Sequence, residues 1–315
     1  MSLPVIDISG LASSNAADRA AVGRALYEAC STKGFFACVG HGIPQGLMDA
    51  SLEQTRAFFA LPIETKLALH KEQSPANRGY EPVGDQTLEP GAAPDQKEGF
   101  YLGDDLREDD PRVLAGTFNA GANVWPSDLP SFRPVMVATM AALRTNVEGI
   151  MRGLALSLDL DEDHFDAFVR DPMMTLRPLH YPPVGDGEDP GPGAGAHTDF
   201  GGITMLLQDD VGGLEVDDPE LGRWVEVPPT KGAYVVNLGD MISRWTNDRY
   251  RSTRHRVVTN HSGRDRYSLP FFYTGNPDHV VSCIETCLEP GEEPRYPPIR
   301  VQDHMKAMYA RTYDA

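Results

Sequence analysis

Between residues 175 and 273 the chain is cut into seven short runs, TLRPLHY, ITMLLQ, GLEVD, WVEVP, AYVVNLG, HRVVTN and RYSLPFFY, each bounded by Gly, Pro, Asn or Asp. Runs this short are strands rather than helices, and strands at such close spacing predict an antiparallel sandwich or barrel. The sequence before them has another character. PVIDIS (4–9) reads as a short strand, and residues 16–33 carry Val22, Leu26, Ala29 and Cys30 at helical spacing before Gly34. FFACVG then reads as a strand, HGIP as a turn and 44–60 as a second amphipathic helix. Residues 72–130 are rich in Pro, Gly and Asp, with short apolar pieces such as GFYL. From Pro134 to Leu158 an apolar pattern (Val135, Met136, Met140, Leu143, Val147, Ile150, Met151, Leu154) predicts one long helix, and a last helix is expected from about Arg300 to Arg311.

No internal repeat or flexible linker divides these parts, so a single domain over 1–315 is expected, of mixed α and β class with helices wrapped on a β core. Its parts are 1–130, the helix 134–158, the strand-rich 172–277 and a C-terminal segment 278–315.

Charge narrows the partners. With 28 Lys and Arg against 46 Asp and Glu, the net charge is −18 and no basic block stands ready for phosphate, which argues against nucleic acid. No run of 18 apolar residues spans a membrane. The opening MSLPVIDISG lacks the basic and apolar parts of a signal peptide. Cys30, Cys38, Cys283 and Cys287 are too few for a disulfide framework, which fits the reducing cytoplasm; HVVSCIETCLEP reads as a strand in which Cys283 and Cys287 are structural.

The chemistry is carried by histidines. His-x-Asp/Glu occurs three times among the nine His, at His70–Glu72, His164–Asp166 and His197–Asp199, where chance alone gives roughly one. The first two sit in helical patterns, in which positions i and i+2 do not share a face. In an extended strand they do, and only His197 and Asp199 adjoin a clear strand, ITMLLQ, after a glycine-rich approach. A third ligand must come from another strand, and His255 in RSTRHRVV is the best candidate. Two imidazoles and one carboxylate on one side of an ion leave three positions open, which suits non-haem Fe(II) and oxygen chemistry. Beyond His255, Arg266 and Ser268 share a strand face from which a guanidinium and a hydroxyl reach one carboxylate, the far end of a dicarboxylate whose near end chelates iron.

Taken together, GAHTDFG, GDMISRWTNDRYRSTRHRVV and RYSLPFFY resemble the iron- and 2-oxoglutarate-dependent oxygenases of the isopenicillin N synthase-like group. The resemblance extends over nearly the whole chain, through PVIDISGL, EACSTKGFFACVGHGIP, FFALPIETK, RGYEPVG, VWP and HYPP. It implies a double-stranded β-helix, or jelly roll, with flanking helices. His197, Asp199 and His255 then match the ligands of Fe(2+), and Arg266 and Ser268 the pair that holds the distal carboxylate of 2-oxoglutarate. Tyr181 falls where plant-type members place a tyrosine on that carboxylate. Where the family often has Asn-Tyr-Tyr-Pro, this chain has Leu179-His180-Tyr181-Pro182. The implied reaction is a dioxygenation, with hydroxylation of a small organic molecule as the default and release of succinate and CO2.

The alternatives are an iron oxidase like isopenicillin N synthase itself or aminocyclopropane carboxylate oxidase, where the same Arg-x-Ser serves without 2-oxoglutarate, and a non-catalytic jelly roll that binds a metal or small ligand. The remaining polar residues have plainer readings: His41 as a turn residue, His180 as packing, Asn237 and Asp240 as the formers of a turn in NLGD. Phe271 and Phe272 read first as core residues, with one of them an alternative candidate for the substrate pocket, and Phe100 and Tyr101 lie in a loop-rich region that could cover the site. The sequence does not specify the prime substrate or the oligomeric state.

Overall fold

The computed structural model describes residues 3–313 other than Asp186 and Pro219. The N-terminal strand β1 (Val5–Asp7) pairs parallel to β2 (Phe35–Val39). Between them runs the helix Ala16–Thr32, opened by the Asn15 side chain, which accepts from the Ala17 amide at 3.0 Å. Gly34 closes it at φ +67°, where any side chain would collide with the Arg251 carbonyl. The second helix is Gln45–Phe59 and the long one Phe132–Ser157. Val147, Ile150 and Leu154 of the long helix are buried, as its periodicity predicted.

Two hairpin strands, β3 (Gly79–Glu81) and β4 (Glu98–Tyr101), rise from the loop-rich stretch. Phe100 and Tyr101 therefore belong to a sheet and not to a covering loop. The strand-rich part supplies β5 (Met173–Leu176), β6 (Leu179–Tyr181), β7 (Ala194–His197), β8 (Ile203–Gln208), β9 (Leu214–Asp218), β10 (Arg223–Glu226), β11 (Tyr234–Leu238), β12 (His255–Val257) and β13 (Arg266–Gly275). They form a nine-stranded sheet in the order β1-β2-β11-β8-β13-β6-β4-β3, with β5 also on β13, facing a four-stranded sheet in the order β10-β9-β12-β7. Two sheets of short antiparallel strands facing one another fit the expected jelly roll.

Alternation along β13 divides the molecule. Leu269, Phe271 and Tyr273 enter a large core shared with the helices, beside Phe58, Phe100, Phe132 and Phe168. Arg266, Ser268, Pro270 and Phe272 face the inside of the roll. Pro270 falls where the partner of β13 changes from β6 to β5, a place that tolerates a missing amide donor. A smaller apolar cluster, Phe35, Leu179, Tyr181, Leu214, Val216 and Val257, lines the roll between the sheets.

Some local expectations fail. HVVSCIETCLEP is not one strand: Val280–Val281 pairs with Ile299–Arg300, and Glu285–Cys287 forms a single 3-10 turn. His70 and His164 are not helical either; His70 bridges to Tyr80, and His164 lies in a turn against Phe165. All four cysteines are free thiols. No helix among the described residues is long and apolar enough to cross a membrane. The last helix, Val301–Tyr313, leans over one mouth of the roll through Met305 and Tyr309.

Candidate metal centre and the chambers beside it

Strands β7 and β12 are antiparallel neighbours, and their register sets His197 directly opposite His255. Cross-strand partners on one face are close enough to share an ion. The two rings lie 4.3 Å apart, and each Nε2 points at Asp199 Oδ1, at 3.8 Å from His197 and 3.7 Å from His255. Among the described residues this is one cluster of His, Cys, Asp and Glu fit to hold a metal, with its ligand atoms within 4.8 Å of one another. The strand β7 ends at His197, so Asp199 reaches the centre from the following loop rather than from a continued strand. The predicted three residues nevertheless meet.

Each ligand is aimed by a second contact. His197 Nδ1 lies 2.7 Å from the Gly195 carbonyl and His255 Nδ1 3.2 Å from that of Thr253, an arrangement in which Nδ1–H donates and Nε2 keeps its lone pair for a metal. Asp199 Oδ2 accepts from Thr204 Oγ1 at 2.5 Å and from Asn237 Nδ2 at 2.7 Å. Burial lowers the pKa of His197, and neighbouring His255 lowers it further, so the ring is neutral as a ligand must be. For Asp199 burial works upward, but the two imidazoles when charged, and the bonds from Asn237 and Thr204 in either state, outweigh it and hold the carboxyl below its ordinary range.

Arg266 and Ser268 open into the same chamber as the three candidate ligands, which Tyr181, Thr204 and Asn237 also line. Arg266 is 2% exposed. Its Nε donates to the Gly212 carbonyl and one terminal nitrogen to Gln208 Oε1 at 3.1 Å, while the other, Nη1, is buried without a protein partner. The Tyr181 ring lies under the guanidinium at 4.5 Å, as its register partner on β6. A buried, always-charged guanidinium that meets no carboxylate is costly unless an anion completes it. Lys97 also borders this chamber, paired with Asp95; burial draws its pKa down to about 8 against that carboxylate.

A second chamber shares His197, Asp199, Arg177 and Phe272 with the first and is walled by Tyr101, Thr175 and Met305. Phe272 thus lines the site, while Phe271 is in the large core. Arg177 stacks on Tyr101 at 4.4 Å and bonds Glu81 and Gln86. Burial would raise Glu81, but Arg177 and Lys71 bring it down to about 2.

The residues given plain readings divide. His41 closes its turn through Ile43 N at 3.1 Å and the Gly232 carbonyl at 3.0 Å. His180 lies on the other face of β6, stacked on Tyr267 and bonded to Glu98 and Asp265 at 2.7 Å each. Asn237, read as a turn residue, is instead a buried strand residue on Asp199. Asp240 begins a short helix and accepts from Ser252 at 2.7 Å, with burial raising its pKa. Reading the sequence missed Thr204, Asn237, Asp95, Lys97 and Arg177. For Thr204 in ITMLLQ the available signal was a polar residue inside an otherwise apolar run; Asp95 and Lys97, in PDQKEG, carried no such signal.

Comparison with known proteins shows the family. Residues 3–128 match the family model described as non-haem dioxygenase in morphine synthesis N-terminal, and residues 170–275 that of the 2OG-Fe(II) oxygenase superfamily. A 2-oxoglutarate-Fe(II) type oxidoreductase of Emericella nidulans is 44% identical, covering 98% of this chain and 90% of its own length. A 2-oxoglutarate-dependent dioxygenase of Monascus ruber is 40% identical over 99% of this chain and 96% of its own. Among solved structures, a full-length Neurospora crassa protein in complex with alpha-KG and thymine superposes with a TM-score of 0.85 at 29% identity, covering 98% of this chain and 97% of that one.

Proposed function

This chain belongs to the iron(II)- and 2-oxoglutarate-dependent oxygenases, and from that premise we propose that His197, Asp199 and His255 hold the iron while Arg266, Ser268 and Tyr181 receive the far carboxylate of 2-oxoglutarate. The enzyme is a non-haem dioxygenase acting on a small molecule. The observation that carries the residue assignment is the buried Nη1 of Arg266, without a protein partner in the chamber that the three ligands enter. Charge supports it. One carboxylate (Asp199), one guanidinium (Arg266) and a divalent ion leave two positive charges, which a dianion offsets.

Iron and 2-oxoglutarate, when bound, supply the oxidising power: dioxygen and 2-oxoglutarate are consumed, a substrate C–H becomes C–OH, and succinate and CO2 leave. The protein's own part is positional. His197 and His255 present Nε2 lone pairs, fixed by their Nδ1 contacts to Gly195 and Thr253. Arg266 orients the cosubstrate by charge and, through its planar fork, by angle. Phe272 and Tyr101 shield the reacting end from water, and with Arg177 they offer flat walls and one polar edge. A small, flat, polar molecule fits that set, in keeping with the thymine bound by the Neurospora protein. We take hydroxylation as the outcome, in one catalytic unit working in the cytoplasm, where free thiols such as Cys283 persist.

The test is an anaerobic titration of the apoprotein with Fe(II) and 2-oxoglutarate. A weak visible charge-transfer band of the chelated keto acid is expected, and its absence in His255→Ala. Iron bound without a band at saturating 2-oxoglutarate would overturn the assignment of Arg266 and Ser268 to that cosubstrate.

A further inference from the structure

Asp199 differs from the other two ligands in how it is held. The histidines are oriented by carbonyls two residues before them along the chain, whereas the carboxylate is gripped from the opposite sheet. Thr204 on β8 and Asn237 on β11 are register partners in the nine-stranded sheet, 5% and 3% exposed, and both aim a donor at the same oxygen, Oδ2. A carboxylate oxygen has two lone-pair directions. With a hydroxyl on one and an amide on the other, Oδ2 has none left for a metal, and Oδ1 alone faces the two imidazoles.

We propose that the Thr204–Asn237 pair is a positioning device that keeps Asp199 a one-oxygen ligand and so preserves an open coordination position at the iron. The inference rests on the assignment of His197, Asp199 and His255 to the metal. Its physical content is a count. Three protein atoms on one face leave three positions, of which a chelating keto acid takes two, so a second oxygen from Asp199 would occupy the place that dioxygen needs. A carboxylate can meet a divalent ion through one oxygen or through both. Here the neighbouring sheet engages one of the two. Asp240 works beside this pair on the backbone: its own amide donates to the Asp199 carbonyl at 2.8 Å, fixing the main chain while Thr204 and Asn237 fix the side chain.

The variant Thr204→Val/Asn237→Leu removes both donors at nearly constant volume. Co(II) with saturating 2-oxoglutarate, added to the apoprotein, is the probe: the keto acid takes two of the three open positions, the visible absorption separates five- from six-coordination without turnover, and azide then titrates the position left. In the double variant the Co(II) spectrum is expected to shift toward higher coordination and azide to bind about ten- to a hundredfold more weakly, the range for lost partners of metal ligands. Thr204→Ser, which keeps the hydroxyl, is expected to behave as the wild type. An unchanged Co(II) spectrum and azide affinity in the double variant would overturn the proposal even if its melting temperature fell, since that is what a merely structural pair would give. If the double variant does not fold, the single variants carry the test: each is expected to shift azide affinity in the same direction, and no shift in either overturns it. Failure of the underlying site assignment shows separately, as wild-type protein that forms no Fe(II)–2-oxoglutarate band.

Discussion

In the nine-stranded sheet every strand from β2 to β4 along its order has a neighbour on both sides, and its outer face is sealed by aromatic residues and the long helix. The four-stranded sheet is held differently. Its strand β7, which carries His197, has β12 on one side only. On its other side the loop between β3 and β4 comes close enough that a side chain on Gly195 would strike the Glu89 backbone. That edge is bonded by side chains instead of a ladder, with Gly195 N donating to Asp95 Oδ1 at 2.9 Å and Ala196 N to Glu89 Oε2 at 3.1 Å. The proposed ligands His197 and His255 thus stand on the less laddered sheet, while the Asp199 side chain is held by Thr204 and Asn237 of the sturdier one, which also carries Arg266, the proposed cosubstrate anchor. Precision at the site is borrowed across the roll.

If the larger sheet is the frame, its core must be the costlier place to damage. Phe271→Ala should lower unfolding stability by about 3–5 kcal/mol in urea, because a fully buried ring is lost between the sheet and the long helix. The folded fraction should still bind Fe(II). A much smaller loss would mean that the larger sheet is not the stable half. Next in size is Arg266→Ala, which should weaken 2-oxoglutarate by about 2–5 kcal/mol in calorimetry, as expected for a truncated buried charge pair. Fe(II) affinity without cosubstrate should not change. An unchanged 2-oxoglutarate affinity would sever the larger sheet from the cosubstrate.

These two residues also show what the sequence disclosed. The alternation in RYSLPFFY placed Arg266 and Ser268 on one face, and HTD with a distant His was legible because ligand chemistry restricts residue types and a strand restricts spacing. The long helix and the short strands after Pro172 followed from periodicity alone. What could not be read was anything whose meaning depends on which strands become neighbours. Asn237 looks like a turn former until β11 is set beside β8, and Asp95 is one acid among 46 until its loop lies along β7. GFYL gave no hint that it would pair with β6 and bring Tyr101 to the second chamber.

Asp95 tests the side-chain-held edge. In Asp95→Asn the oxygen that receives Gly195 N survives, but the carboxylate facing the fully buried Lys97 is lost. Stability should fall by about 1–3 kcal/mol, the cost of a buried polar group deprived of its partner. Fe(II) should bind about tenfold more weakly, because the peptide that orients His197 is loosened. Adding Lys97→Met removes the stranded charge and should return most of the stability, as replacing both members of a buried pair often does. If the double variant is as unstable as the single one, the pair is not what secures this edge.

The smallest effect is the most local. Glu89 is partly exposed, and its bond to the Ala196 amide is a single charge-assisted contact at the rim, so Glu89→Ala should cost only about 0.5–1.5 kcal/mol globally. Hydrogen exchange resolves what that figure hides. The Ala196 amide, with no strand beyond it, should exchange much faster in the variant, whereas amides of β13, laddered on both sides, should keep their wild-type protection. Uniform acceleration across both sheets would mean that the edge of β7 opens only when the whole roll opens. The contrast between the two sheets would then be one of appearance and not of energy. Acceleration confined to Gly195–His197 would instead make that short edge a separately opening unit, and iron held by His197 and His255, as proposed, the natural means of closing it.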